Sequence, residues 1–289
     1  MNPVLYWFSR AIVAVVQALP LPWVARIGRG LGWLAWRLDA KHRRIVLDGL
    51  TQAFQAEKTA GEIRAIGRET FCRIGENYVS AIKTAAMDSA ALRPHVQFTG
   101  IDRLPRPRPD GLLPNVVVAI GHFGNFELYA RFHEVRPDFR TATTYRALKQ
   151  PALNRLMQEL RNRSGCLYFE RRTEGGALRE ALAGGGVILG LLADQSSRGL
   201  RGPFLGRDCD TGLAPAVLAQ RYEADLYTAI CYRVGLAQWC VELGEKIPTH
   251  ADGKLRASEA VMREVNRALE TAVRRDPANW FWVHRRWKD

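Results

Sequence analysis

Asn115-Val116-Val117-Val118-Ala119-Ile120-Gly121-His122-Phe123-Gly124-Asn125-Phe126-Glu127 is an apolar run that ends in glycine and then delivers a histidine and a glutamate. Val116 to Ile120 is β-branched and almost wholly apolar, the pattern of a strand buried on both faces. Gly121 and Gly124 permit a sharp turn after it. The spacing predicts a helix starting at or near Asn125, with Glu127 in its first turn and its free amides pointing back towards His122. A strand-to-helix turn of this kind is where an α/β enzyme places a general base.

Outward from this stretch, strands and helices alternate. Strands are predicted at 115–121, 139–144, 166–169, 187–193, 225–233 and 237–243. Helices are predicted near 125–134, 151–164, 174–184, 212–222 and 254–275. Upstream, 26–38, 40–56 and 60–86 read as helices, with Ile63, Ile66, Phe71, Ile74 and Tyr78 near helical spacing. The order argues for an α/β fold: a mixed, mostly parallel sheet sandwiched by helices, with a helical, membrane-associating N-terminal segment. Residues 1–25 form an anchoring or interfacial helix, and 26–289 a single domain with a helical part (26–95) and a catalytic core (110–289). The proline-rich stretch Arg103 to Pro109 joins the two parts.

The chemistry that suits a histidine, a carboxylate and nearby amide donors is acyl transfer to a hydroxyl. A neutral imidazole takes the proton while negative charge develops on the attacked carbonyl oxygen. Glu127 is expected to hold one ring nitrogen and fix the tautomer. Spacing alone does not single this pair out, since His133 precedes Asp138, and His284 precedes Asp289, by the same five positions. Pro137 interrupts the first of these pairs, which follows no buried-strand pattern, and Asp289 of the second is the terminal residue, expected to fray.

Other chemistry-bearing residues fall where strands are expected to end. Active sites of open α/β sheets lie beyond the carboxyl ends of strands, which is where Arg146, Arg171 and the pair Asp194-Gln195 stand. Arg146 offers several fixed donors to a phosphate or a thioester carbonyl, or else makes a surface ion pair. Arg171 grips an anionic head group or is simply solvated. Asp194 and Gln195 support the site by capping its turn, and Asn125 joins Arg146 and Arg171 as a substrate-binding candidate. Gly184-Gly185-Gly186 follows a helix and precedes a strand, the reverse of a phosphate-cradling loop.

Forty-two Lys and Arg against 29 Asp and Glu give a formal charge of +13. Such a surface attracts anions, whether phospholipid, phosphorylated glycolipid, acidic protein or nucleic acid. No nucleic-acid-binding motif is present, so nucleic acid is not expected as a partner. Residues 11–25 carry no charge but include Pro20 and Pro22. That length falls short of the roughly 20 residues needed to cross a bilayer, so the segment is expected to embed in the membrane or to pack on the core. Asn279-Trp280-Phe281-Trp282-Val283-His284-Arg285-Arg286-Trp287-Lys288 interleaves rings and cations, which suits either a lipid head-group layer or closure of the core. The five cysteines show no metal-ligand spacing and are expected to be reduced and mostly buried.

The Gly121-to-Glu127 segment resembles the His-x4-Asp/Glu site of the bacterial lipid A biosynthesis acyltransferases of lauroyl and myristoyl type. Tyr145-Arg146-Ala147-Leu148-Lys149-Gln150-Pro151 is similar to that family's Tyr-Arg-x-Leu-Lys-Asn-Pro segment, with Gln150 for the commoner Asn. Leu192-Ala193-Asp194-Gln195, Gly202-Pro203-Phe204-Leu205-Gly206 and the aromatic C-terminus follow in the family's order, so the resemblance spans nearly the whole chain. It implies transfer of a fatty acyl chain, from acyl carrier protein or acyl-CoA, to a hydroxyl of an anionic glycolipid, a lipid A precursor. The place implied is the cytoplasmic face of the bacterial inner membrane. Carried onto this chain, it makes His122 the base and Glu127 its partner, with no metal or cofactor. The alternatives are an acyltransferase for another membrane lipid or glycolipid, and a non-catalytic basic membrane-binding protein. Ser196-Ser-Arg-Gly-Leu-Arg201 is more basic than the family's usual pattern, which bears on the acceptor more than on the reaction.

Overall fold

The computed structural model describes residues 2–109 and 111–287; Lys288 of the aromatic tail and Asp289 of the third histidine–carboxylate pair lie outside them. Four helices come first: α1 (Pro3–Ala18), α2 (Leu21–Leu38), α3 (Ala40–Phe54) and α4 (Ala60–Thr84), followed by a single turn, α5 (Ser89–Leu92). The remainder alternates: β1 (Val96–Thr99), β2 (Val116–Ile120), β3 (Arg140–Tyr145), α6 (Pro151–Arg161), β4 (Leu167–Glu170), α7 (Gly175–Ala183) and β5 (Val187–Leu192). Then come a hairpin, β6 (Ser196–Phe204) and β7 (Arg207–Thr211), and α8 (Ala214–Arg221), β8 (Asp225–Gly235) and β9 (Gln238–Leu243). A two-residue hairpin, β10 (His250–Ala251) and β11 (Lys254–Leu255), precedes the long α9 (Ser258–Arg275).

The central sheet has seven strands in the order β1-β9-β8-β2-β5-β3-β4. The five from β8 to β4 are parallel, whereas β9 runs antiparallel to β8 and carries β1 alongside it in its own direction. All five residues of β2 are buried, as its apolar run requires. Its side chains alternate between two cores: Val117 and Ala119 pack on the face covered by α3, α8 and α9, and Val116, Val118 and Ile120 on the opposite face. The mostly parallel α/β architecture is therefore the one the sequence predicts.

Four local departures from expectation have physical reasons. Residues 126–134 form a 3₁₀ helix, not an α-helix. The hairpin β6–β7 falls where an irregular loop is expected, because its Gly, Pro and Arg residues carry little strand signal; Leu200, Phe204 and Cys209 hold it against the core. Helix α2 starts at Leu21 rather than 26, since Pro22 in a first turn fits a helix instead of breaking it. The short β1 was unforeseen, its four residues being ordered by pairing with β9.

Helix α2 crosses α4 with almost nothing between the backbones. A Cβ on Gly28 would lie 2.5 Å from the Gly75 carbonyl oxygen, and one on Gly32 would lie 2.1 Å from that of Phe71. Below this crossing, Glu76 is fully buried and accepts from Arg29, from Arg233 and from the Ala237 amide, tying α2 and α4 to the β8–β9 turn. Helix α1 packs on α6 through Tyr6, Val13, Ala152 and Leu156, and both Tyr6 and Arg10 bond Glu159. The opposite side of α1 leaves Trp7 and Phe8 65% exposed, and Trp23 on α2 is 61% exposed. Among the described residues no helix is long and apolar enough to cross a membrane. The C-terminal segment resolves to core packing: Trp280, Trp282 and Arg286 are buried and Trp287 packs against them. Cys72, Cys166, Cys209 and Cys231 are buried, Cys240 is half-buried, and all five are free thiols.

Candidate active site

Strands β2 and β5 are parallel neighbours with Ile120 opposite Leu192, and the ladder runs one step further as the Ala193 amide donates to the Ile120 carbonyl at 2.9 Å. His122 and Asp194 each stand two residues beyond those partners, so the register itself brings them together. Gly124 makes the turn possible. It has φ +52°, and a Cβ there would meet the Cys231 carbonyl oxygen at 2.4 Å.

Asp194 is wholly buried and accepts three hydrogen bonds. Its Oδ1 lies 2.8 Å from His122 Nδ1, and its Oδ2 accepts from the His122 backbone N–H and from the Trp280 indole, both at 2.8 Å. Burial pushes its carboxyl up, but the charge of His122 and these donors outweigh it and hold the group well below the usual carboxylate range. For His122, burial opposes the charged ring, yet the Asp194 carboxylate, with a smaller contribution from Glu127, leaves the imidazole above its ordinary value. With Nδ1 bonded to a carboxylate, the proton sits on Nδ1 and Nε2 is the unprotonated, basic nitrogen.

The expected partner of His122 is thereby corrected: its ring nitrogen is held by Asp194, not by Glu127. Glu127 instead receives both arms of Arg161 from the end of α6, at 2.6 and 3.2 Å. The reason lies in the neighbours: Asp194 from β5 already holds Nδ1, and the Arg161 guanidinium claims both oxygens of Glu127. Phe126 takes the place beside the imidazole, with ring centroids 5.1 Å apart. Arg161 also lies over the rings of Tyr145 and Tyr168, so it is fixed by packing as well as charge.

The remaining candidates fall on the same edge of the sheet. Gln195 presents its amide nitrogen 3.4 Å from each ring nitrogen of His122. Asn125 is buried beside the turn; its Nδ2 donates to Thr84 Oγ1, and its Oδ1 has no partner. Arg146 and Arg171 are exposed just past β3 and β4. With strands about 4.8 Å apart, they begin about 10 and 15 Å along the carboxyl edge from His122. Asp138 engages Arg136 rather than His133, and His284 is bonded through Nδ1 to the Phe281 carbonyl.

Next to this edge lies an apolar cavity of about 380 Å³ between α1, α4 and α6. Val13, Ile82, Ala85, Leu153, Leu156 and Leu160 line it, and it reaches Asn125, Phe126, Glu127 and Arg161. Sequence reasoning missed Arg161, because the residue sits 34 positions from Glu127 and nothing marks α6 as facing it. It left the C-terminal segment between lipid contact and core packing and gave it no part in the site, where the Phe281 amide donates to the His122 carbonyl at 3.1 Å and the Phe281 ring lies against the imidazole.

An imidazole fixed by a buried carboxylate, with Phe126 between it and an apolar cavity and a cationic edge nearby, can in its neutral form deprotonate an alcohol next to a space for a hydrocarbon chain. The sequence pattern described as bacterial lipid A biosynthesis acyltransferase matches residues 2–289 of the chain. No curated protein matches it.

Proposed function

Because the chain belongs to the bacterial lipid A biosynthesis acyltransferase family, we propose that it moves a fatty acyl group from an acyl thioester, carried by acyl carrier protein or CoA, to a hydroxyl of a lipid A precursor. The observation that carries this reading is the His122–Asp194 pair, set apart from the 380 Å³ apolar cavity by Phe126, whose ring lies against the imidazole and also lines that cavity. His122 Nε2 takes the proton of the acceptor hydroxyl, and the oxygen attacks the thioester carbonyl. The resulting oxyanion draws on amides at the start of the 126–134 helix, which lack intrahelical acceptors. Collapse breaks the carbon–sulfur bond, and the thiolate recovers the proton from His122, so ester and thiol leave with atoms and charge balanced. Asp194 holds the Nδ1–H tautomer and stabilises the imidazolium between the two proton transfers.

In this reading the acyl chain lies in the cavity between α1, α4 and α6. Glu127 and Arg161 fix the cavity wall nearest the reaction, and Asn125 contacts the substrate there. Arg146 and Arg171 meet the anionic head group along the edge, where a guanidinium fork suits phosphate. The exposed Trp7, Phe8 and Trp23, together with the net charge of +13, support attachment to an anionic membrane surface, the cytoplasmic face of the inner membrane. The test is direct. Purified protein is given acyl carrier protein charged with chains of several lengths and a choice of acceptors, and the products are read by mass spectrometry. Acylation of a lipid A precursor, lost in His122→Ala, supports the proposal; acylation of a different lipid alone would move the acceptor, and no transfer at all would refute it.

A further inference from the structure

We infer that Trp280 is a positioning residue for the base: its indole N–H locks Asp194, and Asp194 locks His122. This rests on His122 being the base. The argument is geometric. Asp194 Oδ2 is held from two sides, by the His122 backbone N–H and by Trp280 Nε1, each at 2.8 Å, which leaves Oδ1 committed to His122 Nδ1. A carboxylate gripped by only the His122 residue could swing with it; the third donor comes from elsewhere in the chain and fixes the frame.

Trp280 is itself immobilised. It is buried, with ring centroids 4.6 Å from Trp282, 5.3 Å from His284 and 5.5 Å from Phe204. Its neighbours stitch the same segment to the turn that carries His122. The Gly124 amide donates to the Asn279 carbonyl, the Phe281 amide donates to the His122 carbonyl, and Asn279 Nδ2 donates to the Cys231 carbonyl. An indole is also chemically suited to this place. It donates at every working pH and carries no charge, so it secures the carboxylate and tempers its basicity while leaving its negative charge for the imidazolium that forms during the reaction. A lysine or arginine would neutralise Asp194 and weaken the base.

The titratable or charged groups around His122 are Asp194 beyond β5, Glu127 on the 3₁₀ helix, His284 in the tail, and Arg73 and Tyr78 on α4, which line the small pocket His122 opens into; Arg286 acts on Asp194. Trp280→Phe changes none of these directly and keeps a ring in place. With one donor fewer, the carboxylate is more basic and binds the imidazolium more strongly, so the pKa of His122 rises.

Full-length protein labelled with ¹⁵N-histidine in detergent micelles gives that pKa by NMR, the His122 signal being assigned from its loss in His122→Asn. Trp280→Phe is expected to raise it by about half a pH unit or more, with kcat down about tenfold and KM unchanged. Trp282→Phe removes a neighbouring indole whose N–H goes to the Pro277 carbonyl, and should leave both values unaltered. An unshifted His122 in Trp280→Phe overturns the inference. If that variant does not fold, the unmodified protein still decides: the Trp280 indole proton should move as His122 titrates, and a signal indifferent to that titration refutes the link. Acyl transfer that survives His122→Asn would instead sink the base assignment, whatever the NMR gives.

Discussion

Replacing Asp194 with asparagine should silence the enzyme without unfolding it, and the geometry says why. The carboxylate has one donor at Oδ1 and two at Oδ2. An asparagine amide must put its oxygen on one side and its NH₂ on the other, and the side with two donors claims the oxygen. The NH₂ then faces His122 Nδ1, which must become the acceptor, and the ring proton moves to Nε2. The nitrogen that should take the substrate proton now carries one already. The same tautomer trap in a serine-protease triad lowers kcat by about 10⁴, and a loss of about 10³- to 10⁴-fold is expected here. Because the variant keeps all three donors partnered or nearly so, the cost in stability should stay below about 2 kcal/mol. Acyl transfer from a labelled thioester, measured beside thermal melting, gives both numbers. Activity above about one tenth of the wild type in a folded Asp194→Asn protein would refute the tautomer argument.

Rate should rise with pH through a His122 midpoint above the ordinary imidazole value of about 6.5, since the raised group must be neutral to act. The stability contributed by its charged form is complete below the unfolded-state value and is lost as pH rises through the folded one, so melting and activity against pH should run in opposite directions over that window. Glu127→Gln breaks the fork with Arg161 at 2.6 and 3.2 Å and should cost about 1–3 kcal/mol of stability by denaturant titration, leaving the His122 midpoint within a few tenths of a pH unit. Ala85→Phe fills part of the cavity and should shift product toward shorter chains in mass spectra, each displaced methylene costing about 0.8 kcal/mol, roughly fourfold in preference. Trp7→Ser with Phe8→Ser should weaken binding to anionic vesicles at least about tenfold in sedimentation, with the melting temperature unchanged; equal binding would remove α1 from the membrane contact.

Much of this arrangement was open to a reader of the sequence. Val116 to Ile120 announced a doubly buried strand because its apolar pattern admits no solvated face, and His122 followed from the glycine turn. The partner of His122 did not follow, because spacing along one segment says nothing of a carboxylate brought in by another strand. Asp194 stood at a predicted strand end, yet its adjacency to His122 depends on β5 lying beside β2, and strand order is a property of the whole sheet. Arg161 and Trp280 were invisible for the same reason: each meets the site from an element distant in sequence. The aromatic tail, balanced in sequence between lipid contact and core packing, belongs to the core, where Trp280 and Trp282 are buried.

The crossing of α2 and α4 at Gly28, Gly32 and Gly75 has a mechanical consequence. With carbonyl against α-carbon and no side chain between them, a displacement of one helix is expected to be passed directly to the other. The exposed Trp23 stands on α2 just before the crossing, and α4 runs on past it to Ile82 and Thr84, which with Ala85 form a wall of the apolar cavity. On the membrane attachment proposed above, a bilayer pressing on Trp23 would act on α4 through this contact and so on the wall that faces the hydrocarbon chain.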